Sequence, residues 1–319
     1  MGRSRKRKGH PVHGWLALDK PAGITSTQAV GRLRRLYEAQ KAGHGGTLDP
    51  LADGILPIAF GEATKTAQWA MDCDKEYVFT IHWGSSTDSQ DREGQVISTS
   101  DVRPSDDAIR TALEGFSGII AQVPPKYSAI KVDGERAYDL ARDGETFDLP
   151  SREVIVHDVE LVSVPDPDHA VIRVRSGKGF YVRALARDLA RSLGAEGHVS
   201  QLRRTRVGPL NEVLAVSLAQ LEALEGQAEA LKALLLPLEA VLPDVPRLEI
   251  ELSDAAALKQ GREIVLLPHL MEAWRAHCKD PSGDRTAITL CNGTAIALGE
   301  VRAGRFRPSR VFQIDTPAS

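Results

Sequence analysis

The chain has 319 residues, 42% of them hydrophobic and 26% charged, and a formal net charge of −3. The length suggests about two domains, and the composition is that of an ordinary globular protein, which excludes a mainly disordered chain. The longest apolar runs, such as Ala233-Leu234-Leu235-Leu236, fall far short of the roughly 20 residues that cross a bilayer, so no membrane span is expected.

The basic start, Arg3, Arg5, Lys6, Arg7 and Lys8, is followed only by the short apolar stretch from Trp15 to Leu18, too short for an export signal. Lys6 stands where a myristoylation motif needs Ser or Thr. Residues 1–13 read as a basic, mobile arm. The cysteines Cys73, Cys278 and Cys291 are odd in number and widely spaced, which fits neither a disulfide framework nor a metal-binding pair and suits a reducing cytoplasm.

Residues 15–18 predict a strand, and Pro21-Ala22-Gly23 a turn. Behind Thr25-Ser26-Thr27, the spacing of Ala29, Val30, Leu33, Leu36 and Tyr37 predicts a helix with Arg32, Arg34 and Arg35 on its other side. Gly43-His44-Gly45-Gly46-Thr47-Leu48-Asp49-Pro50 carries three glycines and an Asp-Pro, and is expected to form a long loop without regular structure. Tyr77, Phe79, Ile81 and Trp83 alternate as a half-buried strand should. Pro104-Ser105 opens a helix with Ile109, Leu113 and Phe116 inward, closed at Gly118. Strands are expected over 152–163 and 170–175. After Gly177-Lys178-Gly179, a helix stacks Leu185, Leu189 and Leu193 on one side and Arg183, Arg187 and Arg191 on another, read as a packed face and a cationic face. The alternation of strands and helices predicts a mixed α/β body up to about residue 240. Pro237, Pro243 and Pro246 mark a linker, and beyond it a short helix over 253–259 and a hairpin about Asn292-Gly293 predict a compact β-rich module.

Charge is unevenly spread. Residues 1–41 hold ten Lys/Arg against two acids and residues 173–206 hold nine against two, on an otherwise acidic background. Two basic blocks of this kind either form a polyanion-binding face or are ordinary solvated charge runs.

Asp49 is a candidate catalytic group, because glycines on either side of a histidine let a backbone approach a large ligand; the alternative is an Asp-Pro turn opener. Tyr77 is either a core aromatic or one that stacks on a base. Arg183, at a strand-to-helix junction, needs an anionic partner or solvent. His277, Cys278 and Cys291 are too few and too irregular for a zinc site, so no metal is expected.

Several ordered motifs carry a resemblance. They are Leu18-Asp19-Lys20-Pro21-Ala22-Gly23, the 43–52 segment ending in Asp49-Pro50-Leu51-Ala52, and Gly61-Glu62-Ala63-Thr64-Lys65. They continue with Asp74-Lys75-Glu76-Tyr77, with residues 122–131, and with Lys178-Gly179-Phe180-Tyr181-Val182-Arg183. From about Gly14 to about Arg206 the chain resembles the bacterial tRNA pseudouridine synthase B family. The resemblance implies a mixed, mainly antiparallel sheet catalytic domain (α+β) over 14–243 and a PUA-like RNA-binding β-barrel over 247–319. It further implies Asp49 as catalytic aspartate, Tyr77 stacked on the target uracil and Arg183 as partner of the Asp49 carboxylate. Lys20, His44, Tyr181 and Leu202 would bind substrate or support its loop. The expected partner is the T-arm of tRNA, modified at position 55 by a cytoplasmic monomer without cofactor or obligate protein partner.

An ionised aspartate serves such an isomerisation by attacking the anomeric carbon, by adding to C6 of the ring or by assisting proton removal toward a glycal. A bidentate Arg183 fork would orient it. Competing readings are a non-catalytic tRNA-binding folding chaperone, a glycosidase-like enzyme lacking a recognisable second carboxylate, and a guide-RNA-dependent relative.

Overall fold

The structure is a computed structural model that describes residues 9–128, 131–132, 135–136, 147, 149–278 and 285–315. The apolar start forms strand β1 (Gly14–Lys20). Helix α1 (Ser26–Leu36) follows behind a capping box: Thr25 Oγ1 accepts from Gln28 N at 3.1 Å and Gln28 Oε1 accepts from Thr25 N at 2.8 Å. Ala29 and Leu33 are buried, while Arg32, Arg34 and Arg35 are exposed, as the helical spacing predicts. Residues 9–13 are not a mobile arm. His10 N donates to Glu38 O at 2.7 Å, Gln40 N donates to His10 O at 3.0 Å, and Val12 is buried. Residues 1–8 lie outside the described residues.

The glycine-rich segment begins in regular structure: β2 (Ala42–His44) pairs with the end of β3 (Asp53–Phe60), which corrects the expectation of a loop throughout. A 3-10 turn (Gly61–Thr66) and α2 (Ala67–Asp72) lead to β4 (Lys75–Trp83). A side hairpin, β5 (Ser85–Thr87) with β6 (Val96–Thr99), precedes α3 (Asp106–Glu114), whose N-cap is Ser105. This helix closes at Gly115. Gly118 instead opens β7 (Gly118–Gln122), because its φ of +84° suits a turn into a strand. A small hairpin, β8 (Lys131–Val132) with β9 (Glu135–Arg136), is followed by β10 (Arg152–Asp166), β11 (His169–Ser176), α4 (Val182–Ser192) and β12 (Gly197–Val207). The body ends with β13 (Leu210–Asn211), β14 (Val216–Ser217), α5 (Leu218–Glu222) and α6 (Ala228–Ala233).

The central sheet runs β14-β1-β3-β12-β4-β11-β10-β7, with β2 added to β3 and β13 to β12. Its pairings are antiparallel except β1 with β14 and β3 with β12. Leu185 and Leu189 of α4 join Leu33 of α1 and Phe79, Ile81 and Ile172 of the sheet in the principal core.

Beyond Pro246 come β15 (Arg247–Glu249), α7 (Leu252–Lys259), β16 (Ile264–Val265), α8 (Pro268–His277), β17 (Thr286–Cys291), β18 (Thr294–Arg302) and β19 (Arg305–Val311). The strands form a second sheet ordered β15-β17-β18-β19-β16. Asn292 and Gly293, at φ of +50° and +70°, make the tight turn that their dipeptide predicts. This module is not strung on an open linker. Leu238, Val241 and Leu242 are buried in a cluster that joins Trp15, Ile55 and Val207 of the body to Ile288, Leu290 and Phe312 of the module.

Candidate active site

Asp49 sits on the segment that links β2 to β3, and neighbouring groups fix the backbone of that segment. Gly45 N donates to Pro57 O at 2.8 Å. Gly45 is required there by space, since a Cβ would lie 2.6 Å from Ala70 Cβ. Ser26 Oγ donates to Leu48 O and accepts from Leu48 N, both at 2.9 Å. Arg204 donates through Nη2 to Gly46 O at 3.2 Å, through Nη1 to Thr47 O at 3.1 Å and through Nε to Ile55 O at 2.7 Å. Ala52 N donates to Asp49 O at 3.1 Å. A glycine-rich sequence is thereby held still.

The Asp49 carboxylate is 32% exposed and Arg183 is 6% exposed, with Arg183 Nη2 at 3.0 Å from Asp49 Oδ2. The expected fork is divided between two carboxylates: Nη1 lies 3.3 Å from Oδ2 of Asp91, which is 5% exposed. The same guanidinium donates to Tyr127 O at 2.8 Å and to Ser89 O at 3.0 Å. Asp91 is itself fixed, because its Oδ1 accepts from Ser89 Oγ at 2.5 Å and from Glu93 N at 3.0 Å. The arrangement is a buried charged chain, Asp91–Arg183–Asp49, with only its last member open to solvent. A guanidinium anchored at four points offers Asp49 one orientation and a compensating charge.

Arg183 therefore does not belong to an exposed cationic face, and neither does all of the 173–206 basic block. Arg204 is buried, Arg203 is held by Asp19, Asp53 and Glu212, and Arg187 is paired with Asp188. Arg173, Arg175, Lys178 and Arg191 do remain exposed.

Lys20 is buried at the end of β1 and donates to the carbonyls of Pro21 at 2.9 Å, Ile24 at 3.0 Å and Ala52 at 2.6 Å. Its ammonium joins the turn after β1 to the segment after Asp49. Burial brings its pKa down to about 8, against the raising influence of Asp53 and Asp49. His44, at the end of β2, is half-buried, and its pKa is lowered by burial and by the charge of Arg204.

Tyr77 on β4 stands opposite Arg204 of β12, and Leu202 stands opposite Phe79. Tyr77 and Leu202 are therefore diagonal neighbours on one face of the sheet, about 7–8 Å apart by strand geometry. Tyr181 is the N-cap of α4. The buried amide of Gln122 holds it by accepting from its N–H at 2.8 Å and donating to its carbonyl at 3.1 Å. Its phenol pKa is raised, mainly by burial, with the Asp49 charge acting in the same direction.

Asp91, Ser89 and Arg204 are site residues that the sequence motifs did not include, and Gln122 opened one of those motifs without an assigned role. Asp91 lies in the polar run Thr87-Asp88-Ser89-Gln90-Asp91-Arg92, which has the look of a solvated turn. Arg204 lies in a charged strand without apolar periodicity. Among the described residues no group of three or more His, Cys, Asp or Glu is placed to hold a metal ion.

The sequence and the fold of this chain are similar to those of known proteins. Residues 34–182 match the family described as TruB family pseudouridylate synthase (N terminal domain), and residues 183–243 match the tRNA pseudouridylate synthase B C-terminal domain. The chain is 54% identical over 311 residues to tRNA pseudouridine synthase B of Caulobacter vibrioides, covering 98% of this chain and 99% of that protein. It is 49% identical over 314 residues to the protein of the same name from Agrobacterium fabrum, covering 97% of each. Among solved structures, the crystal structure of a Cbf5-Nop10-Gar1 complex is similar at a TM-score of 0.66 and 26% identity, covering 91% of this chain and 79% of that one. An archaeal box H/ACA sRNP Nop10-Cbf5 structure, at 0.67 and 23% identity, covers 98% and 93% and shares the fold. The chain belongs to the TruB family of pseudouridylate synthases.

Proposed function

We propose that the protein isomerises uridine to pseudouridine in tRNA, at position 55 of the T-loop, with Asp49 as the reacting carboxylate. The observation that carries this reading is the 3.0 Å ion pair of Asp49 with the buried Arg183, on a backbone pinned from several sides. The two relatives described above, both called tRNA pseudouridine synthase B, support it.

A stacked uridine has to leave its helix or loop to reach Asp49, and the flipped base would rest against Tyr77, with Leu202 and Tyr181 as further walls of the pocket. Lys20 supports the loop, and His44 faces the RNA as a neutral imidazole. Breaking an N-glycosidic bond, turning the uracil and rejoining it through C5 changes no oxidation state. The reaction is thus within reach of one carboxylate and a preorganised pocket. Arg32, Arg34 and Arg35 of α1 and the exposed arginines of the 173–206 block would hold the phosphate backbone. Residues 14–243 form the catalytic domain, against which residues 9–13 are docked, and residues 247–319 a PUA-like module that adds RNA contacts. The protein works as a cytoplasmic monomer without an obligate protein partner. No helix among the described residues is long and apolar enough to cross a membrane.

The test is incubation of the purified protein with an unmodified tRNA transcript, without added cofactor or metal, followed by mapping of pseudouridine at each uridine. Product at position 55 alone is expected. No product at any uridine, with tRNA binding intact, would overturn the enzymatic reading in favour of a folding chaperone.

A further inference from the structure

We infer that Arg204 is a positioning residue for this isomerisation: its guanidinium ties the two ends of the Asp49 segment together and so holds Asp49 at Arg183. The inference rests on the activity proposed above and assigns a role within it.

The geometry is that of a staple. Gly46 and Thr47 precede Asp49, Ile55 follows it, and the guanidinium donates to all three of their carbonyls at 3.2, 3.1 and 2.7 Å. The backbone of Arg204 is equally tied. It pairs in parallel with Gly54 and antiparallel with Tyr77, and so lies between the segment that carries Asp49 and the strand that carries the stacking aromatic. Gly54 makes the close approach possible: its φ is +99°, and a Cβ there would lie 2.3 Å from Arg204 O.

Arg204 is 2% exposed, and its described hydrogen bonds all go to backbone carbonyls. A buried cation satisfied by carbonyl dipoles bears a desolvation cost that an apolar side chain of similar volume would avoid. Stability alone gives little reason for it. A planar donor that reaches three carbonyls at fixed angles gives a geometric reason, because a bend of the segment by about 1 Å would misplace the carboxylate and cost about 100-fold in rate. The charge of Arg204 also lowers the pKa values of His44 and Lys20, so the bases beside the segment feel it as well.

The test compares wild type, Arg204→Lys and Arg204→Met in two measurements. Hydrogen exchange reads the backbone of residues 43–52 against β1 and β10, and single-turnover kinetics reads the rate of pseudouridine formation and the tRNA concentration that half-saturates it. Lysine keeps the charge but replaces the three nitrogens of the planar fork by one, so it cannot hold the Gly46, Thr47 and Ile55 carbonyls at the positions the guanidinium sets. In both variants the 43–52 amides should exchange about tenfold faster while β1 and β10 keep their protection. The maximal rate should fall by about 100-fold with the half-saturating tRNA concentration unchanged, since the lost interaction acts on the reacting group. Unchanged exchange over 43–52 would overturn the inference. So would loss of protection throughout the sheet, which marks a purely structural residue, or a raised half-saturating concentration at unchanged maximal rate, which marks an RNA contact. A wild type that makes no pseudouridine would refute the proposed activity, while the exchange measurement would still decide whether Arg204 holds the segment.

Discussion

At the scale of single residues the site is organised by charges that compensate one another out of water. Arg183 lies between Asp49 and Asp91, so removing one carboxylate changes what the other experiences. Replacing Asp91 by Ala leaves the buried guanidinium with half of its anionic partners, and should destabilise the fold by about 3–5 kcal/mol in urea unfolding. A change within 0.5 kcal/mol would show that solvent replaces Asp91 at no cost. Replacing Arg183 by Lys retains the charge but loses the four-point anchor, and should lower the maximal rate by about 100-fold with tRNA affinity maintained. Rate and affinity that fall together would assign Arg183 to RNA binding instead. Asp49 and Arg183 were legible in the sequence because their motifs are specific, but the second carboxylate was not. Asp91 comes into reach of Arg183 because the loop between β5 and β6 folds back and bridges to Val199 of β12, and its local sequence is indistinguishable from an exposed turn.

At the scale of elements, periodicity identified those with one wet face, namely α1, β4, α3 and α4. It missed β3 and β12 for opposite reasons. Gly54-Ile55-Leu56-Pro57-Ile58-Ala59-Phe60 is buried on both faces, so it shows no alternation, and Pro57 argues against a central strand. Pro57 is tolerated because β12 pairs only with Asp53 and Gly54 and β2 only with residues 58–60, which leaves its missing N–H without a strand partner on that side. In β12 the run Arg203-Arg204-Thr205-Arg206 reads as a charged surface, whereas two of its arginines face internal partners. The boundary between body and module carries an element-scale prediction. Phe312 is fully buried in the cluster that joins the two, so Phe312→Ala should cost about 3–5 kcal/mol. Calorimetry should show one transition moved to lower temperature. Two separated transitions in the wild type would mean that the shared cluster does not couple the parts.

At the scale of the whole molecule, burial of titratable groups sets the response to pH. His13, His44 and His82 all have lowered pKa values, with burial the largest cause in each. The unfolded chain takes up these protons near pH 6.5, and the folded chain takes them up only at lower pH. Over that window the unfolded state binds more protons, so stability falls as pH drops below about 6.5. The urea midpoint should therefore be lower at pH 5.5 than at pH 7.5, and an equal or higher midpoint at pH 5.5 would contradict the assignment. The net charge of −3 hides the exposed arginines of α1 and of the 173–206 block. If these hold the tRNA backbone, affinity falls linearly on a plot of log K against log salt, and a flat plot would remove them from the interface.

In the proposed reaction Asp49, oriented by Arg183, acts on the uridine, while the exposed basic surface holds the RNA. The most direct test pairs a tRNA-binding titration with single-turnover pseudouridine mapping for wild type and Asp49→Asn. The variant should bind tRNA within about twofold of wild type and form no detectable pseudouridine, because an amide cannot replace the reacting carboxylate. Pseudouridine formed by the variant at a rate near that of wild type would contradict this role of Asp49.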